Sequence, residues 1–262
     1  IVFGGILLLQ GEDNMLTEER FNKILKIIDE KKSVTVQELT ELLNSSESTI
    51  RRDLNALHKL GKLIKVHGGA TAIDMDYNTK DFEVSVRYDL NKEQKKKIGA
   101  YAASLIEEND FIYIDAGTTT EFMIDYITEK SAVFVTNAIT HAVKLSNRGF
   151  KVFVTGGEFK NTTEALIGNE TVENLKKYNF TKGFFGANGV SKKANLSTPD
   201  VTEALTKKGA LAQCRKSYIL CDSSKFGKIS SVTFGKLSEA IIITDKLTDE
   251  DIRKETEVVE VI

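Results

Sequence analysis

Hydrophobic spacing changes character along the chain, and each change predicts a different kind of element. From Leu16 to Glu30, Phe21, Ile24, Leu25 and Ile28 recur at the i, i+3, i+4, i+7 spacing of one helix face, with Thr17 as the N-cap. A short β-branched run, Ser33–Val36, follows. Thr35 and Glu38 then fit a capping box for a second helix carrying Leu39, Leu42 and Leu43. Asn44, Ser45 and Ser46 end that helix, because Asn44 tolerates the left-handed region and Ser46 can cap what comes next. A third helix is predicted over Glu47–Leu60, with Ile50, Leu54 and Leu57 inward and Gly61 as its stop. The sequence KLIKVHGGA (62–70) then supplies two short β-like stretches around a Gly-Gly tip.

Asp74–Lys92 carries mixed charge without sustained period and reads as a linker with one short strand at Phe82–Val86. From Glu93 onward six apolar runs recur: Phe111–Asp115, Ala132–Thr136, Val152–Thr155, Gly183–Phe185, Tyr218–Cys221 and Ala240–Thr244. Helix-period segments at 93–107, 121–129, 138–147, 169–177 and 200–216 precede or separate most of them. That alternation predicts a mostly parallel sheet covered on both faces. At the other end, IVFGGILLL (1–9) is about half the ~20 residues needed to span a bilayer. It has neither the basic flank nor the cleavage site of a signal peptide. A buried strand or an N-terminal extension is one reading. The other is translation starting at Met15, since QGEDN back-translates to a purine-rich ribosome-binding site. Residues 1–14 are therefore set aside as a leader.

With 262 residues, 41% hydrophobic and 28% charged, the chain falls in the soluble globular range, which excludes collagen, coiled coil and disorder. A net charge of −2 argues against a nucleic-acid binder only if the charge is evenly spread. It is not. Between Ser45 and Ala70, five basic residues (Arg51, Arg52, Lys59, Lys62, Lys65) face two acids (Glu47, Asp53), a local balance of +3. The outer face of the third helix carries Ser48, Thr49, Arg51, Arg52 and Asn55. A helix, a tight turn and an Arg-bearing helix followed by a β-ribbon is what a winged helix-turn-helix needs to read a major groove. Lys65 and His67 in the wing would reach phosphates or the minor groove. Cys214 and Cys221 form no CxxC pair, and His58, His67 and His141 lie far apart. No metal, no cofactor and a reducing, cytoplasmic compartment are expected.

The candidate chemistry sits where the apolar runs end. FIYID is followed by Ala116, Gly117, Thr118, Thr119 and Thr120, and AVFVT by Asn137. VFVT leads into Gly156 and Gly157, GFF into Gly186–Gly189, and YILC into Asp222–Lys225. Ligands of open α/β sheets bind beyond the carboxyl ends of strands, so these small, hydroxylic and amide residues predict a cleft for a small polar molecule. Gly117 and the three threonines form either a phosphate or carboxylate cradle or an ordinary capped helix start. The absent GK[ST] excludes a P-loop. Lys225 offers a counter-charge or a solvated lysine. Glu203 and Lys207 stand i, i+4 on a helix opened by Thr198-Pro199, and by spacing alone are a surface pair.

The stretch from Leu16 to Ala70, above all STIRRDL and VHGGA, resembles the winged helix-turn-helix of the DeoR family of bacterial sugar-operon repressors. The resemblance implies Ser46, Ser48, Thr49, Arg51 and Arg52 at double-stranded operator DNA, with His67 and Gly68 in the wing. DAGTTT, VTNA, TGGE, FGANGV, EALTK (203–207) and CDSSKFGK resemble successive motifs of that family's sensor domain, whose fold is similar to ribose-5-phosphate isomerase and whose effectors are phosphorylated sugars. It implies an effector against Asp115, Gly117, Thr118, Thr119, Thr120, Asn137, Gly156, Gly157, Asn188, Glu203, Lys207 and Lys225. Asn195 departs from the glycine common in relatives; because Asn accepts positive φ, the turn should survive. IEENDFIYIDAGTTTEFMI and LSTPD are similar to the fructose-operon repressor branch, which implies fructose 1-phosphate. The expectation is thus an α+β winged helix-turn-helix at 15–72, a linker at 73–92 and an α/β Rossmann-like effector domain at 93–262. It would be a homo-oligomer, dimer or tetramer, away from membranes and not an enzyme. The alternative is a sugar-phosphate isomerase with an appended DNA-binding domain, using Asp115, Glu203 and Lys207 as its acid/base set.

Overall fold

A computed structural model gives the fold, describing residues 17–31, 33–60, 62–66, 68–71, 77–78 and 84–261. The leader 1–14, Gly61, His67 and the first part of the strand expected at Phe82–Val86 lie outside the described residues. The chain divides into two compact units, one up to Ile73 and the other from Asp74.

The first unit contains α1 (Thr17–Lys31), β1 (Ser33–Thr35), α2 (Val36–Leu43), α3 (Glu47–Lys59), β2 (Ile64–Val66) and β3 (Gly69–Thr71). Thr17 already lies within α1 and does not cap it. Thr35 caps α2 as expected: its N–H donates to Glu38 Oε2 at 2.8 Å, and Glu38 N–H donates to Thr35 Oγ1 at 3.1 Å. Asn44 closes α2 in the left-handed region at φ 46°. Ser46 opens α3 by accepting the Thr49 N–H at 3.2 Å. Ile24, Leu39, Ile50, Leu54 and Leu57 are fully buried between the three helices. Leu42 is 55% exposed, because Val36, Leu39 and Leu43 occupy the inward face of α2. The strands pair antiparallel in the order β1-β3-β2. A Cβ on Gly69 would stand 2.2 Å from the Val34 carbonyl oxygen, so the second glycine of VHGGA is what lets β3 approach β1.

The second unit begins with β4 (Tyr77–Asn78), α4 (Val84–Asp89), α5 (Lys92–Ser104), β5 (Phe111–Ile114) and α6 (Thr118–Ile124). It continues through β6 (Val133–Thr136), α7 (Ile139–Asn147), β7 (Lys151–Val154), β8 (Glu158–Lys160), β9 (Ala165–Ile167), α8 (Asn169–Leu175) and β10 (Phe180–Gly186). After β11 (Gly189–Ser191) and β12 (Asn195–Thr198) come α9 (Val201–Leu211), β13 (Cys214–Leu220), β14 (Ile229–Ser230), β15 (Val232–Gly235), β16 (Ile241–Thr244) and β17 (Val258–Glu260). Among the described residues, seven strands form one parallel sheet in the order β17-β16-β13-β10-β5-β6-β7. The period of two divides its side chains between two cores. Ile112, Ile114, Phe134, Phe184 and Leu220 pack on one face, and Tyr113, Val135, Phe185, Ile219 and Ile242 on the other.

Each of the six expected apolar runs supplies one strand of this sheet. The seventh, β17, and the small pairings of β8 with β9, β4 with β14, and β12 with β11 and β15 were not anticipated. The strand expected at Phe82–Val86 is replaced, from Val84 on, by α4. Asp200, two residues beyond Thr198, caps α9 by accepting the N–H groups of Thr202 (2.8 Å) and Glu203 (2.9 Å). Asn195 stands at φ 56°, so the turn takes asparagine as expected.

Candidate functional site

Two sites are built by the two units. In the first, the exposed start of α3 gathers the predicted reading residues. Ser46 Oγ lies 2.9 Å from both Ser48 Oγ and Thr49 Oγ1, so the three hydroxyls form one hydrogen-bonded cluster. Arg51 and Arg52 are exposed; Arg51 stands 3.5 Å from Glu47, a solvated pair that leaves it free to swing. Lys65 Nζ donates to Asn55 Oδ1 at 2.6 Å, tying the wing strand β2 to α3. Gly68 is exposed at φ 80°, and its carbonyl accepts the Val36 N–H at 2.8 Å. Asp53 counts toward local charge in the sequence but not on this surface. It is buried against Arg20 of α1, which donates to it through both Nε and Nη2. That hydrogen bond raises the Arg20 pKa against the opposing effect of burial. Glu47 is left as the exposed acid among the five basic residues of this segment.

In the second unit the sheet order reverses between β5 and β10, whose sequence neighbours run outward in opposite directions. Such a switch point opens a crevice beyond the strand ends, and a cleft lies there. Asp115, Gly117, Thr118 and Thr119 reach it from the end of β5, Asn137 from β6 and Asn188 from β10. Glu203 and Lys207 come from α9, and Lys225 from the turn after β13. Thr120, Gly156 and Gly157 do not line it. Thr120 is fully buried and donates to the carbonyls of Asp115 (2.7 Å) and Gly117 (2.8 Å), so it shapes the loop from behind. Gly156 accepts from Thr171 Oγ1 at 2.7 Å, and a Cβ on Gly157 would stand 2.0 Å from that hydroxyl oxygen; the glycine pair seats α8.

Most polar groups in the wall are already engaged. Asp115 accepts from Lys207 Nζ and from the Gly186 N–H (3.1 Å). Burial pushes its carboxyl above the ordinary range, with the Lys207 ammonium pulling the other way. Glu203 accepts from Lys160 (2.9 Å) and Thr163 (2.5 Å), and Asn137 Oδ1 accepts the Ala116 N–H at 2.9 Å. The hydroxyls of Thr118 and Thr119 stand apart: among the described residues neither meets a protein partner, and both line the cleft. Helix α6 behind them is only Thr118–Ile124, so loop donors matter more here than a long dipole.

Sequence reasoning brought Asp222–Lys225 to the cleft but missed the rest of a basic corner there, made by Arg87 of α4, Asn91 just before α5 and Lys95 of α5. Asn91 Nδ2 donates to Asp222 Oδ1 at 2.8 Å, and Lys95 Nζ donates to the Arg87 carbonyl. Burial, opposed by Asp222, lowers the Lys95 pKa to about 8. Burial would raise Asp222, but Lys225, Ser224 and Lys95 hold it below the ordinary range. A signal for Lys95 was present. Within KEQKKKIGAYAA it precedes Ile98 by three residues and Ala102 by seven, on the inward stripe.

A DNA-reading winged helix joined to an α/β unit with a polar cleft at its sheet's switch point defines a ligand-responsive transcriptional regulator. Residues 20–76 match the DeoR-like helix-turn-helix domain, and residues 90–246 match the DeoR C terminal sensor domain. The chain belongs to the DeoR family. It is 42% identical to an uncharacterized HTH-type transcriptional regulator, FruR, of Bacillus subtilis, over 92% of this chain and 97% of that one. It is 35% identical to the lactose phosphotransferase system repressor of Streptococcus mutans, over 95% of this chain and 100% of that one. Among solved structures, ribose 5-phosphate isomerase A of Methanocaldococcus jannaschii covers 52% of this chain and 55% of its own at TM-score 0.38 and 15% identity, too distant to carry a functional reading. Among the described residues, no helix is long and apolar enough to cross a membrane.

Proposed function

We propose that the chain is a cytoplasmic repressor of a sugar-utilisation operon, released or retained at its operator by a phosphorylated sugar bound in the cleft. The observation that carries this reading is the pairing, in one chain, of an exposed Ser/Thr/Arg helix start with a cleft whose Thr118 and Thr119 hydroxyls meet no partner among the described residues. Ser46, Ser48, Thr49, Arg51 and Arg52 would meet base edges and phosphates, with Lys65, His67 and Gly68 at the flanking backbone. Asp115, Gly117, Thr118, Thr119, Asn137, Asn188, Glu203, Lys207 and Lys225 would hold the effector. Fructose 1-phosphate is the first candidate, on the likeness to fructose-operon repressors. A homo-oligomer would set two winged helices on half-sites about one helical turn, or a multiple, apart.

Binding is favoured over isomerase chemistry because Asp115 and Lys207 neutralise each other and Glu203 is held by Lys160 and Thr163. A general base needs a carboxylate free to take a proton. The test is a gel shift of DNA from the chain's own upstream region, with and without sugar phosphates. Retardation at low salt that fructose 1-phosphate or another sugar phosphate alters supports the reading, with Thr119→Val expected to bind DNA while responding weakly. No retardation, or turnover of a sugar phosphate by the purified chain, overturns it.

A further inference from the structure

The cleft's charged groups separate into two sets. At one end Asp115 is paired with Lys207 and Glu203 with Lys160, leaving no spare cation among them. Lys160 is further shared with Asp200 at 3.1 Å, so this end has carboxylate to offer and suits sugar hydroxyls, which donate to it. At the other end, among the described residues, Arg87, Lys95 and Lys225 face a single carboxylate, Asp222. Asp222 is also spoken for, accepting from Asn91 Nδ2, the Ser224 N–H (3.1 Å) and Ser224 Oγ. Lys225 and Lys95 attract Asp222 only through space, and none of the three cations hydrogen-bonds to it among the described residues. Lys95 is 4% exposed, and its one hydrogen bond to a described group is to the neutral Arg87 carbonyl. The Arg87 Nε is buried and meets no partner. Asp89, the other described acid acting on Lys95, is exposed and stands 3.9 Å from Lys92. Among the described residues, three cations against one carboxylate leave an excess of two positive charges, and buried charge is retained only where something neutralises it.

Resting on the reading of the cleft as a sugar-phosphate site, we propose that the Arg87–Lys95–Lys225 corner is the seat of the effector's phosphate, and that the site takes a monophosphate in preference to a bisphosphate. One phosphate dianion cancels the excess of the corner. Arg87 supplies a forked donor and the two lysines supply point charges. A second phosphate would face Glu203 and the closed Asp115–Lys207 pair, with like charge and no free donor cation. Because Arg87 belongs to α4, an occupied corner ties α4 to α5 and to the turn after β13.

The experiment is calorimetric titration of the full-length chain with inorganic phosphate, a set of hexose and pentose monophosphates led by fructose 1-phosphate, and fructose 1,6-bisphosphate. It is repeated for Arg87→Gln and Lys225→Gln, with the melting temperature of each unliganded variant as a check on folding. Each substitution is expected to weaken monophosphate and inorganic phosphate binding about tenfold or more, Arg87→Lys to recover part of the loss, and the bisphosphate to bind at least tenfold more weakly than its monophosphate. Monophosphate binding that is unchanged in folded Arg87→Gln and Lys225→Gln overturns the corner while leaving the cleft as a sugar-phosphate site. A bisphosphate that binds as tightly as the monophosphate overturns the ligand class. Failure of the unsubstituted chain to bind any of these ligands removes the sugar-phosphate reading and this proposal with it.

Discussion

Arg20 and Asp53 meet between α1 and α3 with 8% and 3% of their surfaces exposed, so neither can turn to water if the other is removed. Breaking a buried pair on one side costs far more than the pair contributes, typically about 3–5 kcal/mol. Asp53→Ala should therefore destabilise the first unit by about that amount in urea denaturation, whereas Arg51→Ala, on the exposed face, should change stability by less than about 0.5 kcal/mol. Lys95 gives the second residue-scale prediction. Its pKa of about 8 reflects burial first, with Asp222 and Asp89 raising it and Lys225 and Arg87 lowering it. Without ligand, the unfolded chain keeps this proton up to the ordinary 10.5, so stability should rise between pH 8 and 10.5 as the buried charge is lost. A phosphate monoester becomes a dianion above about pH 6. Monophosphate affinity should thus climb through pH 6 and fall above pH 8, and Lys95→Met should remove the alkaline limb of that profile.

At the scale of elements, the glycine pair after β7 distinguishes two readings of one motif. Gly157 sits at φ 112° with the Thr171 side chain and the Ile167 carbonyl where a Cβ would go. Gly157→Ala should cost about 2 kcal/mol or more by loosening α8 from the β8–β9 hairpin, and effector affinity measured on the folded fraction should hold. In sequence, TGGE looked like one more polar strand end, and only packing separates it from AGTTT. Six strands of the large sheet were legible because each is an apolar run ending in a polar turn, and α1 to α3 because of their 3.6-residue spacing, joined in α2 and α3 by the expected caps. Helix α4 was not. Val84–Asp89 is too short to show a period, and it is held by what surrounds it: Tyr88 against Phe122, with ring centroids 4.7 Å apart, and the Val84 N–H on the Thr162 carbonyl at 3.2 Å. Because α4 was read as linker, Arg87 went unseen. Lys95 was lost differently, as one lysine of a run in which only the inward stripe marks it. The local charge balance of 45–70 understated the basic surface for a related reason, since it counts Asp53, which is buried against Arg20.

For the whole molecule, the reading residues and the effector cleft belong to different units of one chain, so regulation must be a coupling free energy between separate sites. Such coupling is reciprocal. If a saturating sugar phosphate weakens operator binding by some factor, operator-bound chain must bind that sugar phosphate more weakly by the same factor. Operator affinity measured with and without effector, and effector affinity measured with and without operator, should close this cycle at one salt concentration. Arg51→Ala separates the two legs. Losing one phosphate contact should reduce the slope of log affinity against log salt by about 1 and weaken the operator complex, with effector affinity of the DNA-free chain unchanged. The coupling factor should survive the substitution, because the proposed role of Arg51 is to meet DNA in whichever state the effector selects. A coupling factor that collapses in Arg51→Ala would place this residue in the transmission between the units and not merely at the DNA surface.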